Sequence, residues 1–153
     1  MIITKFGCTK KCRFISSCYS DLFCNLIPEF QRKYKWDKDG NERASKFIES
    51  CLMRIPLPAC YFAENEKGNH DVIDGVQRIT TIKKFFNNEF RLEGLTVFKE
   101  LEGKLFSEIG DYKNELESTT IRCVILRKEN PKELVKEIFA QLYAVFCRET
   151  PHS

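Results

Sequence analysis

Residues 70–86 read HDVIDGVQRITTIKKFF, and a change of pattern inside this stretch decides how the rest of the chain is read. Up to Ile73 the residues suit an extended strand. After Asp74-Gly75 the apolar positions Val76, Ile79, Ile82, Phe85 and Phe86 take helical spacing, while Gln77, Arg78 and Thr81 fall on another side. Glycine tolerates a sharp reversal of the backbone without steric cost, so a strand running into a helix at Gly75 is the expected local structure.

Working outward, residues 59–63 predict a first strand that pairs with 70–73 as a hairpin, with the polar residues 65–69 as its turn. Upstream, Ala44, Phe47, Ile48, Cys51, Leu52 and Ile55 recur on one helical face, with Asn41 as the cap and Pro56 as the stop. Downstream, residues 119–126 are β-branched and largely apolar apart from Arg122, which suits a strand in the middle of a sheet. Asn130, Pro131 and Glu133 then form a helix-start signature ahead of Leu134, Val135, Ile138, Phe139, Leu142, Val145 and Phe146. These elements predict an α/β (α+β) fold with a small mixed sheet covered by helices. The first 25 residues hold four of the eight cysteines and show no sustained periodicity, so the domain is expected over residues 26–147.

A chain of 153 residues supports one domain with its own core, and 42% hydrophobic residues, thirteen of them Phe, argue against disorder. Lys plus Arg exceed Asp plus Glu by 25 to 22, too narrow a margin to point to nucleic acid on charge alone. No apolar run reaches the roughly 18 residues that cross a bilayer, so no membrane partner is expected. With no export signal and a core of adequate size, the cysteines are read as reduced thiols in a cytoplasmic protein rather than a disulfide framework. Of the N-terminal cysteines only Cys8 and Cys12 have a spacing near that of zinc ligands, which argues against a metal there. His70 and His152 are the two histidines, too few for an HNH-like nuclease centre; His70 suits a hairpin position.

The turn at Asp74-Gly75 offers specific chemistry. The first N–H groups of a helix lack internal partners and its dipole favours negative charge there, so an anion can dock. Arg78 can present a two-pronged donor to phosphate, each charge-assisted bond being worth about 1.5 to 3 kcal/mol. A carboxylate beside a phosphate repels it unless it holds a divalent cation or takes a proton, so Asp74 points to a metal or to acid–base chemistry. A simpler reading makes Asp74 and Gly75 a chain reversal and Arg78 a solvated helix residue. A second segment, residues 27–36 reading IPEFQRKYKW, favours the first: extended, it would place Arg32, Tyr34 and Trp36 on one side, a cation with two rings for a phosphate and a base. The two rings equally suit packing at a core rim. The basic stretches around Lys10 to Arg13 and Arg32 to Lys35 suit solvated surface, with phosphate contact on DNA as the alternative.

Three motifs stand in one register: I-P-x-F-Q-R-x-Y-x-W at 27–36, a helix ending in I-P-L-P at 55–58, and V-I-D-G-V-Q-R-I-T-T at 72–81. In this order they resemble the N-terminal domain family of GmrSD-type restriction endonucleases over about residues 26 to 142. The resemblance implies a ParB/sulfiredoxin-like fold and a DGQQR signature associated with NTP binding and hydrolysis that licenses cleavage of modified or foreign DNA. The signature falls on Asp74, Gly75, Val76, Gln77 and Arg78, with Val76 where the family has its first Gln. The upstream motif falls on Gln31, Arg32, Tyr34 and Trp36, and beyond Gln141 the sequence departs from the family pattern. The resulting expectation is an NTPase of a restriction or anti-phage system. Asp74, Gln77 and Arg78 are its catalytic residues, and Gly75, Arg78, Thr81, Gln31, Arg32, Tyr34 and Trp36 contact the nucleotide. Asp74 holds Mg2+, and DNA and a nuclease subunit or missing C-terminal domain are the expected partners. A ParB-like DNA-binding or interaction module without catalysis is the alternative, and an inactive truncated fragment a third.

Overall fold

The computed structural model describes residues 7–13, 24–25, 36, 38 and 40–129, and residues 133, 134, 136–138, 140, 141 and 144 of the C-terminal stretch. In chain order the elements are β1 (Gly7–Arg13), β2 (Cys24–Asn25), α1 (Glu42–Leu52), β3 (Cys60–Glu64), β4 (His70–Asp74), α2 (Val76–Phe86), α3 (Tyr112–Ser118) and β5 (Thr120–Leu126). Two short 3-10 turns at Lys99–Leu101 and Phe106–Glu108 lie between α2 and α3. The described residues among 133–144 are helical, as the sequence predicts, while the proposed cap at Asn130 and Pro131 lies outside the described residues.

The strands form one mixed sheet in the order β1-β5-β3-β4-β2. β3 and β4 make the expected antiparallel hairpin, β5 runs parallel to β3, and β1 pairs antiparallel with β5 along its whole length. β5 is thus interior, as its apolar run predicts, and the exposed Thr120 and Arg122 interrupt its burial. Two strands come from the first 25 residues, for which the sequence predicts no element. The reason is physical. A short strand at a sheet edge needs backbone partners but no alternation of apolar side chains, so Gly7–Arg13 carries little pattern.

One face of the sheet is the core face. Cys60 and Phe62 of β3, Val72 of β4 and Ile121, Cys123 and Ile125 of β5 are buried there, in a single cluster with α1 and Phe85 of α2. α1 contributes Ala44, Phe47, Ile48, Cys51 and Leu52 at the predicted spacing. Full burial of a side chain the size of Ile48, Phe62 or Phe85 contributes about 1.5 to 3 kcal/mol each. Ile55 departs from the prediction: α1 ends at Leu52, and Arg54 turns to φ 56° with the Ile55 N–H bonded to the Ser50 carbonyl at 3.2 Å. That left-handed closure, and not Pro56, stops the helix and leaves Ile55 47% exposed. Asn41 stands at the N-cap without a side-chain cap bond; its backbone N–H donates to the Glu93 carboxylate instead.

α1 also buries two polar residues beside its apolar stripe. Ser45 Oγ accepts the Glu93 N–H at 2.9 Å. Glu49, 3% exposed, accepts from the Thr96 N–H and hydroxyl at 3.0 Å each, from Val97 at 2.6 Å and from Phe98 at 3.1 Å. Burial works to raise the Glu49 pKa, but the bonds from Val97, Phe98 and Thr96 outweigh it and hold the pKa below its ordinary value. The loop after α2, which has few regular backbone pairs of its own, is fastened to α1 through this carboxylate.

Candidate functional site

The hairpin sets the site through an irregularity. Along β3 and β4, Phe62 pairs with Val72 and Tyr61 with Asp74, so Ile73 is an extra residue on β4, a bulge. Strict alternation would place Asp74 on the face of Val72, opposite Cys60 and in the core. The bulge moves it opposite Tyr61, whose face is only partly covered, and leaves the Asp74 side chain 32% exposed.

Gly75 follows at φ 102° and starts α2 without a side-chain cap. A Cβ at this position would stand 2.6 Å from Cys60 Sγ and 3.1 Å from Cys60 Cβ. Both the backbone angle and this close approach to β3 therefore demand glycine. Beneath the turn, Cys60 is fully buried, and its thiol is pushed up to about 11 by burial, with the Arg78 guanidinium opposing and Asp74 adding to the shift. This thiol is a packing group, not a nucleophile.

One turn into α2, Arg78 Nη2 lies 3.2 Å from Asp74 Oδ2. The same nitrogen donates to the Ala59 carbonyl at 3.3 Å, and Nη1 donates to the Pro58 carbonyl. With 13% of its side chain exposed, Arg78 is not the solvated residue of the simpler sequence reading; it is held in one orientation by three acceptors. Asp74 and Arg78 face each other across the turn, as the proposed site requires. Gln77 is half-buried beside them.

Other predicted site residues are placed differently. Thr81 is 0% exposed and sits in the core side of α2, because the helix is covered over more of its circumference than its apolar residues alone suggest. Its hydroxyl is thus withdrawn from the surface where the sequence places it. Trp36 is half-buried against the core, its ring 5.6 Å from that of Phe47 and tilted by 56°, so among the described residues its ring contact is with α1. Gln31, Arg32 and Tyr34 lie outside the described residues. Among the described residues no three His, Cys, Asp or Glu side chains gather as a metal cage. The Pro58 and Ala59 carbonyls, which orient Arg78, were not legible: a backbone acceptor leaves no mark in a sequence.

A partly exposed carboxylate, a fixed guanidinium and an uncapped helix start together make a turn that can take an anion with its counter-ion. The model of the GmrSD restriction endonuclease N-terminal domain family matches residues 14–149. The chain belongs to that family. The match begins well before the Ile27 at which the motifs become readable, and it takes in the Cys24–Asn25 strand. No curated protein and no solved structure matches the chain. No helix among the described residues is long and apolar enough to cross a membrane. Membership ties the chain to GmrSD restriction systems and establishes the family that the three motifs suggested.

Proposed function

We propose that this GmrSD N-terminal domain binds a nucleoside triphosphate at the Asp74–Arg78 turn and hydrolyses it as a regulatory step in DNA cleavage by a restriction system. The observation that carries the reading is the Asp74–Arg78 pair, 3.2 Å apart with the carboxylate about a third exposed, at a helix start that only glycine can form. In this reading Arg78 donates to phosphate oxygens, the first N–H groups of α2 add to that binding, and Gln77 orients the ligand. Asp74 is a single carboxylate, and one carboxylate fits Mg2+ of the kind coordinated mainly by phosphate and water. Bound there, Mg2+ supplies neutralisation of phosphate charge. Asp74 otherwise positions a water for attack. Gln31, Arg32, Tyr34 and Trp36 belong to the reading through the family motif. A cytoplasmic setting, a ParB/sulfiredoxin-like relationship of the sheet, and a nuclease domain or subunit as partner belong to it as well.

Phosphate release from ATP and GTP, with and without Mg2+, tests the proposal in the wild type, Asp74→Ala and Arg78→Ala. Turnover in the wild type that both variants lose supports it; equal release from all three proteins overturns it. One observation favours a second reading. Arg78 already spends donors on Pro58, Ala59 and Asp74, which suits a ParB-like DNA-binding or interaction module in which the turn has become structural. Thermal protection by duplex DNA and by no nucleotide would select it.

A further inference from the structure

Arg78 adds a side-chain tether where the start of β3 meets the turn before α2. Through the Pro58 and Ala59 carbonyls it fastens the entry of β3, 20 and 19 positions earlier, to the start of α2. The segment leading into those carbonyls is exposed: Met53 at 37%, Ile55 at 47%, with Arg54 at φ 56°. Met53, Arg54 and Ile55 bond back to Glu49, Cys51 and Ser50, but Pro56 and Pro58 have no N–H to donate, so residues 56–58 have little backbone bonding of their own. Among the described residues, what holds 56–58 is the Leu57 side chain at the core edge and the Arg78 guanidinium.

We infer that Arg78 is a latch that couples an anion at the Asp74–Gly75 turn to the exposed segment 53–58: a phosphate group that draws the guanidinium away frees the Pro58 and Ala59 carbonyls and loosens that segment. The choice between acceptors follows from their strength. The Pro58 and Ala59 carbonyls are neutral single acceptors, whereas a phosphate carries full negative charge and presents paired oxygens that match the guanidinium fork, so a bound phosphate competes for the same donors. The trigger rests on the nucleotide reading of the turn; the tether itself does not. Its consequence is a ligand-dependent change in an exposed apolar segment, the kind of surface that a neighbouring subunit can read.

Trypsin cleavage at the exposed Arg54–Ile55 bond reports the latch directly. The full chain is compared as wild type, Arg78→Gln, Arg78→Lys and, as a control, Arg91→Gln, which removes a similar tether to Gly103 and Glu108 elsewhere. Each is digested with and without sodium triphosphate plus Mg2+. Arg78→Gln is expected to speed cleavage at Arg54 on the order of tenfold without ligand, because charge-assisted bonds holding the segment are gone. Arg78→Lys should fall between it and the wild type, and Arg91→Gln should match the wild type. Triphosphate should speed cleavage of the wild type and leave Arg78→Gln unchanged. Cleavage of Arg78→Gln at the wild-type rate, or equal acceleration in Arg91→Gln, overturns the inference. Triphosphate that protects the wild type against thermal unfolding without changing cleavage at Arg54 overturns the latch alone. No protection and no change in cleavage removes the nucleotide reading along with it.

Discussion

Replacing Gly75 by alanine tests the geometry of the turn at its tightest point. The added Cβ meets two penalties. It stands 2.6 Å from Cys60 Sγ, a separation that forces Cys60 or the turn to shift, and such overpacking costs about 1 to 3 kcal/mol. It also imposes φ 102° on a residue with a side chain, a strain of about 1 to 3 kcal/mol. The expected destabilisation is therefore about 2 to 6 kcal/mol, read from the urea midpoint at constant slope. The two penalties separate in a double-mutant cycle. Cys60→Ala removes the sulfur but not the backbone angle, so the double variant should be less destabilised than the sum of the singles by at least about 1 kcal/mol. Strict additivity would refute the idea that Gly75 is fixed by its approach to Cys60, and a Gly75→Ala variant as stable as the wild type would refute the turn geometry altogether.

Three further outcomes follow from the structure. Glu49→Ala should destabilise the fold by about 2 to 4 kcal/mol, because it strands the N–H groups of Val97, Phe98 and Thr96, and faster hydrogen exchange confined to 95–98 would locate the loss. The folded-state pKa of Glu49 lies below its ordinary 4.5, so its contribution is complete above that value and fades as pH falls through the lowered one; acid titration of stability should show this in the wild type and less steeply in Glu49→Gln. Burial pushes the thiols of Cys51 and Cys60 up to about 12 and about 11, so iodoacetamide at pH 8 should label neither in the native protein and both in urea, as peptide mass mapping would show.

The parts of the fold that were legible in the sequence are those written in local pattern. The apolar spacing of Ala44 to Leu52, the polar turn at 65–69 and the switch at Asp74-Gly75 each reflect contacts within a few residues, and each gives the element it predicts, with α1 ending at Leu52 rather than running on to Ile55. What stayed hidden depends on partners far along the chain. The bulge at Ile73 is a property of the register between β3 and β4, and no residue type announces it. Glu49 reads as an ordinary exposed carboxylate until the loop 47 to 49 positions away supplies its donors. Its signal, visible in retrospect, is that Ser45 and Glu49 flank the apolar stripe four residues apart. The same limit applies at the site. Asp74, Gly75 and Arg78 stand together because they are neighbours in sequence, whereas the burial of Thr81 is not legible there because the covered surface of α2 extends past its apolar residues.

The claim on which the account turns is that Asp74 and Arg78 form a place for triphosphate and not merely an internal ion pair. Calorimetric titration of the wild type and of Arg78→Ala with ATP and GTP in Mg2+ examines it most directly. Saturable binding by the wild type that disappears in Arg78→Ala is the predicted result. Identical heats for the two proteins, or no binding by either, would contradict it.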